Sequence, residues 1–473
     1  MIESHDAEYF AEHLRGFVPP ASFDAHAHLY RSEDALDTLP RHVEEESGDV
    51  GWAAYVRALR SWMGDRHPAD GLFFTVPKPT LDRPQANRFV ADQVRSRPGS
   101  RLLLLVHPED DPQAIEATAE SVPCAGLKVY HVYSGRSDSF DAPPDQFLPE
   151  WAWQLAHEHE WILMLHLVRS RALADPVNHR YVRDRCRRYP RARLILAHAA
   201  RGFCGAHTVE AVATLRGLEN VYFDTSGICE PHPLEAILRT FGPRRLLFGT
   251  DFSVSELRGR CVSVGDGFLW LYEHNVDWQG SQFAQPLRIG LESLLALKQA
   301  CRTLRLTDSD VERIFCSNAH ELLGLSRPAR SVQAVYRRAK QLIPGGTQLL
   351  SKRPEMYAPD RWPAYFAEAR GCEVIDLDGR RYWDLTTSGI GSCLLGYADP
   401  DVNAAVLRRV EFGSMCTLNS PDEVELAELL IALHPWADRV RFGRTGGESM
   451  AVAVRIARAH SGRDRVAFCG YHG

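Results

Sequence analysis

The sequence predicts an α/β protein: a (β/α)8 TIM barrel first, then a second α/β segment that stops early. Three observations carry this reading. Short apolar runs of four to seven residues alternate with amphipathic stretches until eight strands are counted. The runs lack polar–apolar alternation, as expected of strands buried on both faces. Histidines, a lysine and an aspartate recur where these strands end, the side of a barrel on which active sites are built. An open doubly wound sheet is the alternative, but no glycine-rich dinucleotide turn follows the first strand.

The first strand is Phe23–His28, within Phe23-Asp24-Ala25-His26-Ala27-His28-Leu29. Strand rise sets the Cα atoms of His26 and His28 about 6.5–7 Å apart on one face, so both imidazoles can reach one metal ion. Alone, the pair fits two loop histidines equally well. A polar excursion follows to about residue 70, and its acidic run Glu44-Glu45-Glu46 reads as a solvated face. Within it, Val50 to Met63 has helical spacing and reads either as a lid or as an ordinary packing helix. The remaining strands are read at Leu72–Val76, Arg101–Val106, Ala125–Tyr130, Trp161–Leu167, Arg193–His198, Asn220–Asp224 and Arg245–Gly249. Helices fill the gaps at Gln85–Arg97, Asp111–Ser121, Asp145–His159, Pro176–Tyr189, Thr208–Leu215 and Pro233–Phe241.

The strand ends supply His26 and His28, then Lys128, His166, His198 and Asp251. One histidine in such a place is ordinarily a hydrogen-bonded rim residue. Four of them with an aspartate, at the same structural position of different strands, predict a metal site. Composition narrows the classes further. A net charge of −6 and a pI near 6.4 offer no electrostatic case for nucleic acid or an anionic membrane. No apolar run is long enough to span a bilayer, and the N-terminus does not read as a signal peptide. Eleven cysteines without a Cys-x-x-Cys pair predict reduced thiols and a cytoplasmic location. A small-molecule substrate and a homodimer are expected.

The segments Asp24-Ala25-His26-Ala27-His28, Gly126-Leu127-Lys128, Leu165-His166, Leu196-Ala197-His198-Ala199-Ala200-Arg201-Gly202 and Phe248-Gly249-Thr250-Asp251 together resemble the amidohydrolase superfamily. They are most similar to the amidohydrolase-related branch that includes aminocarboxymuconate-semialdehyde-type decarboxylases. The likeness covers residues 20–325 and includes a closing helix from Asp308 to Ala319. It implies a divalent metal, Zn first and Mn or Fe as alternatives, held by His26, His28, His166 and Asp251. His198 would polarise or protonate the substrate, and Asp251 would pass a proton from the attacking water to the leaving group. Lys128 would join the metal site, carboxylated, only in a dinuclear variant. Arg201 and Arg169 are candidates for a substrate carboxylate. Hydrolysis of an amide, lactone or related bond is the expected reaction, with non-oxidative decarboxylation as its competitor.

A first domain over 1–325 and a linker over 326–332, marked by Ser326-Arg327-Pro328, are predicted before a second domain over 333–473. There a helix is expected at Val335–Leu342, and a hairpin pairs Cys372–Leu377 with Arg381–Leu385 around Asp378-Gly379. Helices follow at Pro400–Glu411 and Pro421–Leu433, then a strand at Arg439–Phe442 leading to Thr445-Gly446-Gly447. Gly371-Cys372-Glu373-Val374-Ile375-Asp376-Leu377-Asp378-Gly379, Leu395-Gly396-Tyr397-Ala398-Asp399-Pro400 and Gly470-Tyr471-His472-Gly473 resemble class III aminotransferases, pyridoxal-phosphate (PLP) enzymes of fold type I. Pro344-Gly345-Gly346 is most like the glutamate-1-semialdehyde aminomutase branch. By that likeness Gly446 and Gly447 would face the PLP phosphate and Tyr471 its ring. The pattern departs at Thr445-Gly446-Gly447, where Ser-Gly-Thr is usual, and at Tyr397, where a histidine is common. No lysine follows Lys352, so the Schiff-base residue is missing and transamination is not expected of this chain. The stretch reads as the front of a larger domain, and a bifunctional fusion is the alternative for a full-length form.

Overall fold

The computed structural model describes residues 2–31, 49–280, 285–325, 332–386, 388–389 and 391–470. The run Glu44-Glu45-Glu46, the linker residues 326–331 and Tyr471 lie outside them. The chain forms two compact units, Met1–Thr347 and Gln348–Gly473.

In the first unit eight parallel strands follow one another around a sheet in chain order. They are β1 (Phe23–His28), β2 (Asp70–Phe74), β3 (Arg101–Leu105), β4 (Cys124–Val129), β5 (Ile162–Leu165), β6 (Arg193–Leu196), β7 (Val221–Asp224) and β8 (Leu246–Leu247). β8 is only two residues long, so the chain just beyond it completes the ring. The amides of Ala25 and His28 donate to the carbonyls of Phe248 and Phe252, and Asp251 N donates to the His26 carbonyl, each at 2.8 Å. The last of these bonds locks the eighth strand end to the first.

Burial follows strand parity. Leu72, Phe74, Leu103, Ile162, Met164, Ile195 and Leu247 fill the barrel interior, while Phe73, Leu102, Leu104, Leu163 and Leu194 face the helices. In β1 the parity switches: Phe23 and Ala25 join the interior cluster, whereas Ala27 joins the outer one. An irregular register between Asp24 and Ala27 accounts for the switch and turns both His26 and His28 towards the mouth. Helices Arg83–Val94, Pro112–Glu120 and Pro176–Arg188 begin alike: Asp82, Asp111 and Asp175 cap a backbone N–H, and proline occupies the first turn.

The stretch read as lid or packing helix is the helix Trp52–Met63. Tyr55, Leu59, Trp62 and Met63 are buried, so it packs as part of the core. Further elements of the unit include helix Ile2–His13, helix Ile289–Thr303 and the hairpin β9 (Gly259–Val264) and β10 (Gly267–Tyr272). Within Ile2–His13, Phe10 packs into the core edge-on to Trp62, and a buried charge adds a second anchor. The fully buried Asp6 accepts from Arg288 Nε at 2.8 Å and also pairs with Arg258. No disulfide forms among the described residues.

The second unit has a three-stranded antiparallel sheet of β11 (Phe366–Arg370), β12 (Glu373–Asp376) and β13 (Arg381–Trp383). The expected hairpin is β12–β13, and the helices at Pro400–Glu411 and Asp422–Leu433 stand where they were expected. The strand expected at Arg439–Phe442 does not form, because no strand lies beside it among the described residues. Only Pro354 and Asp376 are buried among the described residues of this unit. Phe412, Trp436 and Phe468 are each more than 80% exposed, so the amphipathic faces legible in the sequence have nothing packed on them here.

Removing the buried Asp6 carboxylate strands Arg288 without that partner. Arg288 keeps Glu256 as a partner, so Asp6→Ala is expected to destabilise the first unit by about 1–3 kcal/mol. Thermal unfolding followed by circular dichroism checks this, and an unchanged midpoint contradicts it.

Candidate metal centre

At the C-terminal mouth of the barrel, β1 delivers His26, β6 leads into His198, and the chain after β8 brings Asp251. Each offers one ligand atom, and these three atoms lie within 4.8 Å of one another, all buried. His26 is fixed by Asp224 at the end of β7, whose Oδ2 lies 2.9 Å from its Nδ1. That contact leaves Nε2 facing Asp251 Oδ1 at 3.5 Å. Asp224 also accepts from His198 N at 2.9 Å and from Ser226 Oγ at 2.6 Å, so one carboxylate orients two of the three groups. His198 Nδ1 lies 2.9 Å from Ser226 Oγ. Such outer contacts set the tautomer and aim of a ligating imidazole.

Two backbone features make the convergence possible. β6 ends at Leu196, and His198, Ala199, Ala200 and Arg201 follow in a left-handed turn with φ of 55°, 51°, 62° and 58°. Left-handed backbone costs roughly 1–2 kcal/mol per residue. Bonds from Gly202 N to the His198 carbonyl and from Thr208 Oγ1 to the Ala199 carbonyl hold it. Asp251 is itself at φ 57°. Its neighbour Thr250 donates to Asp24 through N at 2.9 Å and Oγ1 at 2.6 Å, and Tyr55 donates to the same carboxylate at 2.9 Å. Gly249 backs onto His26: a Cβ there would stand 2.9 Å from the His26 Cβ.

The electrostatics suit a cation. Burial lowers the pKa values of His26, His198 and His166, which keeps the imidazoles neutral with lone pairs available. Burial also pushes the Asp251 carboxyl up, but His198, His28 and His26 outweigh it and hold the group well below the usual carboxylate range. Asp224 is carried down to about 2 in the same way, against burial, by His26 and then His198. Lys128 is fully buried; its pKa is lowered to about 8 by burial, with Asp224 and Asp251 opposing. Its Nζ makes no hydrogen bond and lies 4.5 Å from the Phe74 ring centre, against which His26 and His28 also pack. Two neutral imidazoles and an ionised carboxylate form a donor set that fits Zn²⁺, Mn²⁺ or Fe²⁺.

The other expected residues divide. His28 borders the group, with Nε2 3.5 Å from Asp251 Oδ1 and Nδ1 on the Thr75 carbonyl. His166 stands with its ring 5.0 Å from that of His198, and its buried Nδ1 has no hydrogen-bond partner. Arg201 is turned inward by the left-handed turn. It donates to the Arg169 carbonyl at 2.8 Å, and its Nε is unpartnered. Arg169 is engaged by Asp175 at 2.8 Å and Asp141 at 3.3 Å. Gly446 and Gly447 open the helix Gly446–Ser461, where Thr445 Oγ1 caps Glu448 N at 3.2 Å. Asp224 was missed, although it closes a predicted strand, the position that identified the other residues.

A parallel barrel with imidazoles and a carboxylate converging at its C-terminal mouth defines a metal-dependent enzyme class. The family profile described as Amidohydrolase matches residues 23–325, and the chain belongs to that family. A second profile, Aminotransferase class-III, matches residues 356–473. Curated relatives include a 3-aminobutyryl-CoA aminotransferase from Cloacimonas acidaminovorans, 31% identical over 31% of this chain and 34% of that protein. A glutamate-1-semialdehyde 2,1-aminomutase from Leptospira interrogans is 35% identical over 30% of this chain and 32% of that protein. The chain thus spans about a third of the length of these relatives. Among solved structures, an amidohydrolase from Burkholderia multivorans aligns at 15% identity and TM-score 0.44 over 64% of this chain and 99% of that one. No helix among the described residues is long and apolar enough to cross a membrane.

Asp224→Asn keeps the shape of the side chain but removes the anion that orients His26. Metal affinity, read by competition with a chromophoric chelator, is expected to fall about 10–100-fold. Wild-type affinity in this variant would show that Asp224 does not position the ligands.

Proposed function

We propose that the barrel is a metal-dependent hydrolase of a small molecule, with an amide, lactone or related bond as its target. The carrying observation is the buried convergence of His26, His198 and Asp251 at the barrel mouth. These three would hold one divalent cation, Zn²⁺ in the first instance, with His28 and His166 completing its surroundings. The metal supplies Lewis acidity and lowers the pKa of water towards neutrality.

The chain's own groups do the rest. Asp251, ionised and buried beside His26 and His28, accepts the proton of the attacking water and returns it to the leaving atom. Asp224 keeps His26 and His198 aimed while this happens. Arg201 presents an inward guanidinium to an acidic group on the substrate. Arg169, already engaged by two carboxylates, supports the turn through its carbonyl. A single metal is favoured over two because Lys128 sits over Phe74, on an aromatic face where an added carboxylate would lose its solvation. Decarboxylation on the same centre is the second reading, and Arg201 would anchor the substrate equally well in it.

Metal analysis with an activity screen on wild type and Asp251→Asn tests the proposal. One equivalent of metal per chain is expected, together with a loss of hydrolysis of about 100-fold or more in the variant. Full activity in Asp251→Asn would overturn the proton-transfer role, and two equivalents would overturn the single-metal assignment.

A further inference from the structure

The hairpin β9–β10 belongs to no barrel repeat and carries nothing assigned so far. Its two-residue turn, Gly265-Asp266, joins strands in register from Gly259↔Tyr272 to Val264↔Gly267. Along β10 only Leu269 is exposed, while Phe268, Trp270, Leu271 and Tyr272 are half-buried. The face carrying Phe268 and Trp270 continues the wall of the metal centre. The Phe203 ring lies 5.3 Å from His198, 5.2 Å from Phe268 and 5.3 Å from Trp270. A Cβ placed on Gly227 would stand within 4 Å of Phe203, Asp251 Oδ2 and His198 Nδ1, so all three border the space beside Gly227. The Arg201 guanidinium stands 5.3 Å from the Phe268 ring centre and 5.8 Å from that of Phe140, an aromatic slot around the inward cation.

The hairpin is pinned at its tip. Asp266 Oδ1 lies 2.9 Å from Nε2 of the buried His207, and its Oδ2 lies 3.2 Å from Arg171 Nε. Arg171 in turn pairs with Glu210 at 2.7 Å. One residue pair back from the turn, Ser263 donates to Glu230 through N at 2.9 Å and Oγ at 2.5 Å, and accepts from Gly205 N at 3.3 Å. Every one of these partners lies on segments that follow β5, β6 and β7, so the hairpin lies over the β5–β8 side of the mouth. An exposed ion pair contributes little to stability. Here a chain of three pairs, His207–Asp266–Arg171–Glu210, ties the turn to two loops at once.

We propose that this hairpin is a latched cover of the metal centre, and that Phe268 and Trp270 on its inner face determine which substrates fit by burying their apolar body. The inference rests on the metal-centre reading for its location, and its test separates the two. Benzoate and acetate carry the same anion and differ in apolar body. Their affinities are compared by calorimetry for wild type, Phe268→Ala and Asp266→Ala, each both metal-loaded and metal-stripped. Wild type is expected to bind benzoate about tenfold or more tightly than acetate, and Phe268→Ala to narrow the ratio to about threefold or less. Asp266→Ala is expected to speed hydrogen exchange of the amides from Gly259 to Tyr272 and to weaken benzoate about tenfold. A ratio unchanged in Phe268→Ala, no benzoate preference in wild type, or wild-type exchange in Asp266→Ala would each overturn the cover. If the preference survives metal removal and still falls with Phe268→Ala, the cover stands while the metal loses its part in binding.

Discussion

The structure turns on one buried anion. Asp251 is a buried carboxylate set among the rings of His26, His28 and His198, which hold it ionised against the cost of burial. Asp224 adds a second buried carboxylate, and the one buried amine nearby, Lys128, is itself pushed towards neutrality. A buried charge is costly, and a cation among His26, His198 and Asp251 offsets the cost. The same excess of negative charge explains why Lys128 tolerates full burial without a hydrogen bond.

That centre requires irregular backbone, and the barrel supplies it at three places. The register break in β1 aims His26 and His28 inward, the left-handed turn after β6 brings in His198 and Arg201, and a left-handed Asp251 follows β8. Each departure is offset by hydrogen bonds to rigid strands. Asp24 takes Thr250 and Tyr55, Asp224 takes His198 and Ser226, and the His26 carbonyl takes the Asp251 amide. The site is therefore distributed over the strands that close the barrel, and fold and site form together.

Much of this was legible in the sequence. Strands buried on both faces leave continuous apolar runs, and chemistry at their ends is visible once they are counted: His26, His198 and Asp251 stand at such ends and converge in the structure. What could not be read depends on tertiary contact. Helix Ile2–His13 gains an anchor from Asp6 that its own sequence does not announce, and the hairpin after β8 is fixed by Asp266 and Ser263 reaching distant loops. His198 was expected to act on substrate, yet the left-handed turn sets it within the ligand-competent group, because a strand-end position does not reveal backbone handedness. Arg439–Phe442 has the composition of a strand but no neighbour to pair with.

The central claim is that these imidazoles and this carboxylate form one metal-binding shell. X-ray absorption at the Zn edge on reconstituted protein, compared with His198→Ala, tests it most directly. The account predicts a shell of nitrogen and oxygen only at about 2.0–2.1 Å, with imidazole scattering that drops by one ring in the variant. A sulfur shell, or imidazole scattering unchanged in His198→Ala, would contradict it.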